Sequence, residues 1–179
     1  MNKRELRKKY IEIRKSIPAE VRSGESEGIA EKLLAVVKNE SFDALLMYAP
    51  KEFEVDIFGV FDAVNGIPVF FPRCDKDTMD FYKVDNPGQL TEGSFGVREP
   101  DESCPMFIPK ADEHYLVVIP GVAFDVNGYR IGYGKGYYDK YLSAKNGYDF
   151  YKIGVCFKEC LTEDTFHDDF DIKADKVIY

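Results

Sequence analysis

The sequence contains few of the residues on which zinc sites and disulfide scaffolds depend. Its 179 residues include two histidines and four cysteines, and no two cysteines form a CxxC pair. A zinc site and a disulfide framework are therefore not indicated, and we expect reduced thiols. The four cysteines are Cys74, Cys104, Cys156 and Cys160.

Long hydrophobic runs are also lacking. The longest, at residues 67–72 and 115–120, are much shorter than a bilayer-spanning helix requires. The N-terminal segment is basic and is not followed by an apolar stretch, which argues against a secretory signal. We therefore expect a cytoplasmic protein with no membrane partner.

Charge is unevenly distributed along the chain. The net charge is −8, which argues against nucleic-acid binding, yet residues 1–15 sum to +5 and the remainder to −13. A concentrated basic segment suits a polyanion such as a nucleoside triphosphate. A solvated helix face explains the same pattern, and the charges alone leave both interpretations open.

Hydrophobic periodicity predicts a single-domain α/β fold over residues 1–179, with a mostly parallel sheet and helices on both faces. Helices are predicted at residues 3–16, from Pro18 through Val37, at 55–64 and at 136–144. Strands are predicted at residues 44–49, 67–71, 79–84, 115–119, 151–157 and 176–179. Residues 87–109 are predicted to be irregular. In the first helix the periodicity places Arg7 and Arg14 off the apolar stripe.

The segment most informative about chemistry is PGVAFDVNGYRIGYGKGYYDKYL, residues 120–142. Five glycines, at positions 121, 128, 132, 134 and 136, follow a predicted buried strand and precede a predicted helix. Glycines allow backbone N–H groups to approach an anion, and the helix adds further N–H donors. The spacing matches neither a Walker A loop nor GxGxxG. It favours a phosphate cradle neutralised by Arg130 and Lys135, and a tight turn without a ligand is the alternative.

Four side chains at the end of this loop have two interpretations each. Asp139 lies in the first turn of the predicted helix, where it could cap that helix or bind magnesium beside a phosphate. Tyr133, Tyr137 and Tyr138 are crowded for a surface loop, so some belong to the core and others could stack on a planar ring.

The same segment resembles the 5-formyltetrahydrofolate cyclo-ligase (5,10-methenyltetrahydrofolate synthetase) family, whose pattern runs PG.(A/G)FD and then G.R(L)G.G.GYYD.YL, with Ile131 here as a mild departure. Further resemblances are KRELRKKYIEIRKSI at residues 3–17, EVD at 54–56, EP at 99–100 and DIKADKVIY at 171–179. Together they extend over nearly the whole chain.

The resemblance implies a three-layer fold of the NagB/RpiA/CoA transferase type and an ATP- and Mg²⁺-dependent ligase, which we expect to be a monomer. Its small-molecule substrate would be 5-formyltetrahydrofolate, with or without further glutamyl residues. ATP would phosphorylate the formyl oxygen, N10 would attack the activated carbon, and 5,10-methenyltetrahydrofolate, ADP and phosphate would result.

The resemblance also implies roles for individual residues. The catalytic residues would be Lys135, Arg130 and Tyr138. The ATP-binding residues would be Lys3, Arg7, Arg130, Gly132, Tyr133, Gly134, Lys135, Gly136, Tyr137 and Tyr138. The folate-binding residues would be Glu54, Tyr133, Gly134, Lys135, Gly136 and Tyr137, with Glu52 as an alternative to Glu54.

The magnesium ligands implied are Asp139 and Asp171. Near the second of these the sequence reads FHDDFD, with Phe166 and Phe170 where many relatives have proline and histidine. Asp168 and Asp169 are therefore alternatives to Asp171.

Two other classes of function stay open at this point. One is a sugar-phosphate or CoA-type enzyme with a related fold, which would not need ATP. The other is a binding protein that sequesters a nucleotide or a folate and makes no product.

Overall fold

The structure is a computed structural model that describes residues 2–93, 96–164 and 166–179. The helices are α1 (Lys3–Ser16), α2 (Ala19–Asn39), α3 (Phe58–Ala63) and α4 (Tyr137–Ala144). The strands are β1 (Ala44–Leu46), β2 (Val69–Asp75), β3 (Thr78–Lys83), β4 (Leu90–Glu92), β5 (Arg98–Pro100), β6 (His114–Pro120), β7 (Ala123–Asp125), β8 (Arg130–Ile131), β9 (Asp149–Val155), β10 (Leu161–Thr162) and β11 (Lys176–Ile178). Within these ranges, no helix is both long and apolar enough to cross a membrane.

Six strands form the central sheet, in the order β11-β9-β6-β1-β2-β3. All neighbouring pairs are parallel except β2 and β3, which form an antiparallel hairpin at one edge. The prediction of a mostly parallel sheet is confirmed.

Side chains of the central strands alternate between two buried clusters. Leu45 and Leu116 pack with apolar residues of α1, α2 and α3, whereas Leu46 and Val117 pack with Tyr141 and Leu142 of α4. Because successive side chains of a strand point to opposite faces, helices cover both faces of the sheet. This part of the prediction is confirmed as well.

The first helix begins at a capping box. The Asn2 side chain accepts a hydrogen bond from the Glu5 amide at 3.0 Å, and the Glu5 carboxylate accepts one from the Asn2 amide at 3.0 Å. These two bonds satisfy N–H groups that a helix start otherwise leaves unpaired. They fix the start of the segment that carries Lys3 and Arg7.

Some element boundaries differ from the predictions. The predicted helix at 55–64 begins only at Phe58, whose amide donates to the Asp56 side chain at 2.9 Å. The segment predicted to be irregular, 87–109, contains the antiparallel pair β4 and β5. A small sheet of β10, β7 and β8 was not predicted either. Its strands have two or three residues, too few to show a period.

Candidate active site

A cavity of about 380 Å³ opens beside the carboxyl ends of β1 and β6. Its wall contains Tyr48 and Ala49, which follow β1, and Pro120, which ends β6. In sheets of parallel strands, ligands usually bind at this edge. The residues predicted from the sequence that line it are Glu54, Arg130, Gly132, Tyr133, Lys135, Gly136, Tyr137, Tyr138 and Asp139.

The reasons why glycine occupies these five positions of the loop differ from one position to the next. A Cβ added at Gly121 would lie 2.4 Å from the buried Phe124 ring, and one at Gly128 would lie 2.6 Å from the Ala174 carbonyl oxygen. Packing therefore explains these two. Gly134 and Gly136 have φ of +100° and +66°, conformations that favour glycine.

Gly132 fits neither explanation. Its φ lies outside the left-handed range, and an added Cβ would meet nothing within 4 Å. The fold itself therefore does not require a glycine at this cavity-lining position.

The first helix lies against the glycine loop. Arg7 Nε donates to the Gly132 carbonyl oxygen at 2.6 Å, and its guanidinium atoms lie 3.5 Å from where a Cβ of Gly134 would be. Lys3 pairs with Asp168 at 2.6 Å and also with Asp171. Lys3 and Arg7 are therefore held beside the C-terminal segment and the loop, whereas Arg4, Lys8, Lys9 and Lys15 of the same helix are exposed.

Asp139 joins the loop to the C-terminal segment. Its Oδ2 accepts from Arg130 Nη2 at 2.8 Å, and its Oδ1 accepts from the Ile172 amide at 2.9 Å. The α4 N-cap is Gly136, without a side-chain cap bond. The alternative in which Asp139 caps its own helix is therefore wrong.

Asp139 and Asp171 alone supply too few oxygens for a magnesium site, so a ligand and water would have to supply the others. The described residues contain no group of three His, Cys, Asp or Glu side chains that could hold a metal. Magnesium beside phosphates is commonly bound by one or two carboxylates, phosphate oxygens and water. Asp139 lines the cavity and accepts a hydrogen bond from the Ile172 amide. Ile172 directly follows Asp171 in the sequence.

The two glutamates predicted as alternatives for the folate face different cavities. Glu54 lines the large cavity, whereas Glu52 lines a second one of about 320 Å³ together with Arg14 and Lys15. Glu54 Oε2 accepts from the Lys51 amide at 2.9 Å, which fixes the carboxylate in its turn. The geometry thus favours Glu54 as the carboxylate that a ligand in the large cavity would meet.

The three loop tyrosines have distinct surroundings. The Tyr133 hydroxyl accepts from Arg14 Nη2 at 3.0 Å, and burial of this hydroxyl, with the nearby Glu54 charge, raises the pKa of Tyr133 to about 12. The Tyr137 hydroxyl donates to the Lys76 carbonyl oxygen at 2.8 Å. Tyr133 and Tyr137 are thereby held at the rim of the cavity.

The Tyr138 hydroxyl is buried and has no hydrogen-bond partner within the part of the chain that the structure describes. The Arg130 guanidinium lies 5.7 Å from the centre of its ring, and the Phe81 ring meets it at an angle of 74°. Burial raises the pKa of Tyr138 well above the usual value, so the phenol stays protonated.

The surroundings of two residues at or beside the site were not predicted from the sequence. Arg14 was predicted to lie off the apolar stripe of α1, but it is only 4% exposed and is buried on the same face as Leu6 and Tyr10. Glu99 is also buried, and its carboxylate accepts from the Cys74 amide at 3.2 Å on the wall of the cavity. The EP dipeptide pointed to Glu99 but gave no role.

The chain is similar in sequence and in fold to proteins of known name. The model of the 5-formyltetrahydrofolate cyclo-ligase family matches residues 1–179. A probable 5-formyltetrahydrofolate cyclo-ligase of Schizosaccharomyces pombe is 34% identical over 105 residues, which are 53% of this chain and 52% of that protein. The 5-formyltetrahydrofolate cyclo-ligase of Mycoplasma pneumoniae is 28% identical over 99% of this chain and 98% of its own length. The solved structure of Aquifex aeolicus 5,10-methenyltetrahydrofolate synthetase has a TM-score of 0.82 and 32% identity, covering 99% of this chain and 89% of that one.

Proposed function

Because the chain belongs to the 5-formyltetrahydrofolate cyclo-ligase family, we propose that it converts 5-formyltetrahydrofolate to 5,10-methenyltetrahydrofolate at the expense of ATP, with Mg²⁺ bound. One observation carries the proposal. A single cavity brings the Glu54 carboxylate together with the glycine loop, its cations and Asp139. A donor-rich pterin and a polyphosphate can thus meet in one place.

The nucleotide end of the site is formed by α1 and the glycine loop. Backbone N–H groups from Gly132 to Gly136 and the start of α4 would donate to phosphate oxygens, because α4 begins without a side-chain cap. Arg7 and the exposed Lys135 would neutralise phosphate charge. Arg7 is held at the loop by its hydrogen bond to the Gly132 carbonyl oxygen. Lys3 would contribute beside Arg7 on the same helix.

Asp139 would be the protein ligand of magnesium, and Asp171 would be the second carboxylate. Bound Mg²⁺ would withdraw charge from the phosphate oxygens as the transfer proceeds. Arg130 pairs with Asp139 at 2.8 Å and would hold that carboxylate in place. Its guanidinium would also lie beside the negative charge of the phosphate oxygens. Asp168, which shares Lys3 with Asp171, remains an alternative to it.

The folate end would be formed by Glu54 and the loop tyrosines. An ionised carboxylate accepts hydrogen bonds, as the N–H groups of a pterin require. The formyl oxygen would attack the γ-phosphorus while ADP leaves. N10 would then attack the formyl carbon, and phosphate would leave as N10 loses its proton. Tyr138 stays protonated through both steps, and its unpaired hydroxyl would donate a hydrogen bond to the ligand in the cavity.

Phosphoryl transfer depends mainly on positioning and on neutralising charge, so these groups suffice for the reaction. The test is to mix the purified protein with 5-formyltetrahydrofolate, Mg²⁺ and ATP and to follow near-ultraviolet absorbance of the methenyl product. We expect a rise that requires ATP. An equal rise without ATP, or binding of both ligands without product, would reject the ligase.

A matched pair of variants tests the folate end. Glu54→Gln should raise the KM for 5-formyltetrahydrofolate about 10-fold or more, since hydrogen bonds to a charged group contribute about 1.5–3 kcal/mol. Glu52→Gln should change it less than about twofold, because Glu52 faces the other cavity. Steady-state kinetics at saturating ATP measure both, and the reverse order of effects would assign the pterin to Glu52.

A further inference from the structure

We propose that Arg14 is a positioning residue of the folate end of the site. It fixes the position of Tyr133 relative to the turn before Glu54. The inference rests on the proposed function, since it assigns the folate to this end. Arg14 lies outside the large cavity and would touch neither ATP nor the reacting atoms.

The Arg14 guanidinium joins three separate parts of the chain. Its Nε donates to the Phe53 carbonyl oxygen at 2.8 Å, and its Nη2 donates to the Tyr133 hydroxyl at 3.0 Å. Its Nη1 donates to the Gly121 carbonyl oxygen at 3.3 Å. The turn after β1, the glycine loop and the turn after β6 therefore meet at one side chain of α1.

Burying this cation is costly if stability alone is considered. Arg14 is 4% exposed, and the three oxygens that it contacts are uncharged. Even a buried ion pair can often be replaced by apolar side chains of similar volume without loss of stability, and Arg14 has no charged partner among these three oxygens. A guanidinium at this position is better explained by its planar fork, which fixes the directions of several acceptors at once.

The contact with Tyr133 sets the direction of its hydroxyl. Since the oxygen accepts from Arg14, its own hydrogen must point elsewhere, and Glu54 is close enough for its charge to affect Tyr133. The Lys51 ammonium lies 4.7 Å from the centre of the Tyr133 ring, which further limits its movement. Arg14 thus fixes the position of a hydroxyl whose own hydrogen remains available for donation at the folate end of the site.

The contact with Phe53 sets the position of Glu54. Phe53 has φ of +65°, which a bulky non-glycine residue rarely adopts, and the next residue is Glu54. The bond from Arg14 to the Phe53 carbonyl stabilises this turn from the side of the site. The Arg22 guanidinium lies 4.7 Å from the centre of the Phe53 ring and donates to the Ile17 carbonyl oxygen, so Arg22 offers a matched control.

The experiment compares Arg14→Lys, Tyr133→Phe, the double variant and Arg22→Lys. Arg14→Lys should raise the KM for 5-formyltetrahydrofolate about 10-fold or more and leave the KM for ATP within about twofold. Tyr133→Phe should raise the folate KM alone as well. In the Tyr133→Phe background, Arg14→Lys should raise the folate KM by a smaller factor than in the wild type, because the bond between the two residues is already absent and only the bonds to the Phe53 and Gly121 carbonyls remain to be lost. Arg22→Lys should leave both KM values unchanged.

Independent, multiplied effects, or equal losses for folate and ATP, would overturn the proposal in favour of a purely structural role. If Arg14→Lys does not fold, Tyr133→Phe still decides, since it removes the acceptor and leaves the arginine. A folded Tyr133→Phe variant with the wild-type folate KM would overturn the proposal. Absence of ATP-dependent turnover in the wild type would instead reject the proposed function itself.

Discussion

Gly132 and Gly134 offer a test that separates ligand binding from stability. Gly132→Ala introduces no strain, because its φ is outside the left-handed range and an added Cβ meets nothing within 4 Å. Replacing glycine where the backbone permits it stabilises a protein by about 0.4–1 kcal/mol. For a chain of 179 residues, the Tm should therefore rise by about 1–4 °C.

The same substitution should weaken ATP binding. The Gly132 carbonyl is held by Arg7 at 2.6 Å, so the backbone cannot easily turn to move a new methyl group out of the cavity. If phosphate oxygens approach the loop amides, that methyl group occupies their space. We expect the KM for ATP to rise about 10-fold or more, which corresponds to about 1.4 kcal/mol.

Gly134→Ala should behave in the opposite way with respect to stability. At φ of +100° an alanine is strained by about 1–3 kcal/mol, partly offset by the effect on the unfolded chain. A net loss of about 1–2 kcal/mol should lower the Tm by about 2–8 °C.

Thermal unfolding followed by circular dichroism and steady-state kinetics in ATP measure the two effects. Gly28→Ala is the control, because it also lies in open space, within α2, and should stabilise without changing the KM for ATP. An unaltered KM for ATP in a stable Gly132→Ala variant would refute the phosphate cradle.

Two further predictions concern the charged residues of the loop. Lys135→Ala should lower kcat/KM for ATP about 10- to 100-fold. Because its side chain is exposed, the free energy of unfolding should change by less than about 0.5 kcal/mol. Steady-state kinetics and urea unfolding measure the two effects, and full activity would show that Lys135 has no role in the site. Asp139→Asn should shift the magnesium dependence of turnover to higher concentrations and also lower the Tm, since Arg130 is only 7% exposed and would lose its charged partner. A magnesium titration identical to the wild type, together with a lower Tm, would leave Asp139 with the structural role alone.

The central sheet and the position of the glycine loop could be predicted from the sequence. The uninterrupted apolar run at 115–119 lies within β6, which pairs with β1 and β9. The family pattern indicated the residues around the cavity from Arg130 to Asp139. Both signals are local, so neither depends on knowing the tertiary structure.

What could not be predicted depends on contacts between distant residues. Helical periodicity treats an arginine as solvent-facing, but three oxygens from residues 39 to 119 positions away allow Arg14 to be buried. Asp139 was assigned to a cap or a metal, whereas its partner at residue 172 could not be known from its own helix. The hairpin around Glu99 consists of three-residue strands, which a segment rich in proline and glycine conceals.

The ion pairs of Lys3 with Asp168 and Asp171 join residues 165 and 168 positions apart, which has a consequence during synthesis. Translation proceeds at about 5–20 residues per second, so α1 would wait roughly ten to thirty seconds for these partners. A helix of 14 residues is marginal by itself in water, and α1 would gain its full set of contacts only after Asp168 and Asp171 have been made. In a nascent chain, the end of the site that we propose to bind the nucleotide would therefore be completed only after most of the central sheet has been made.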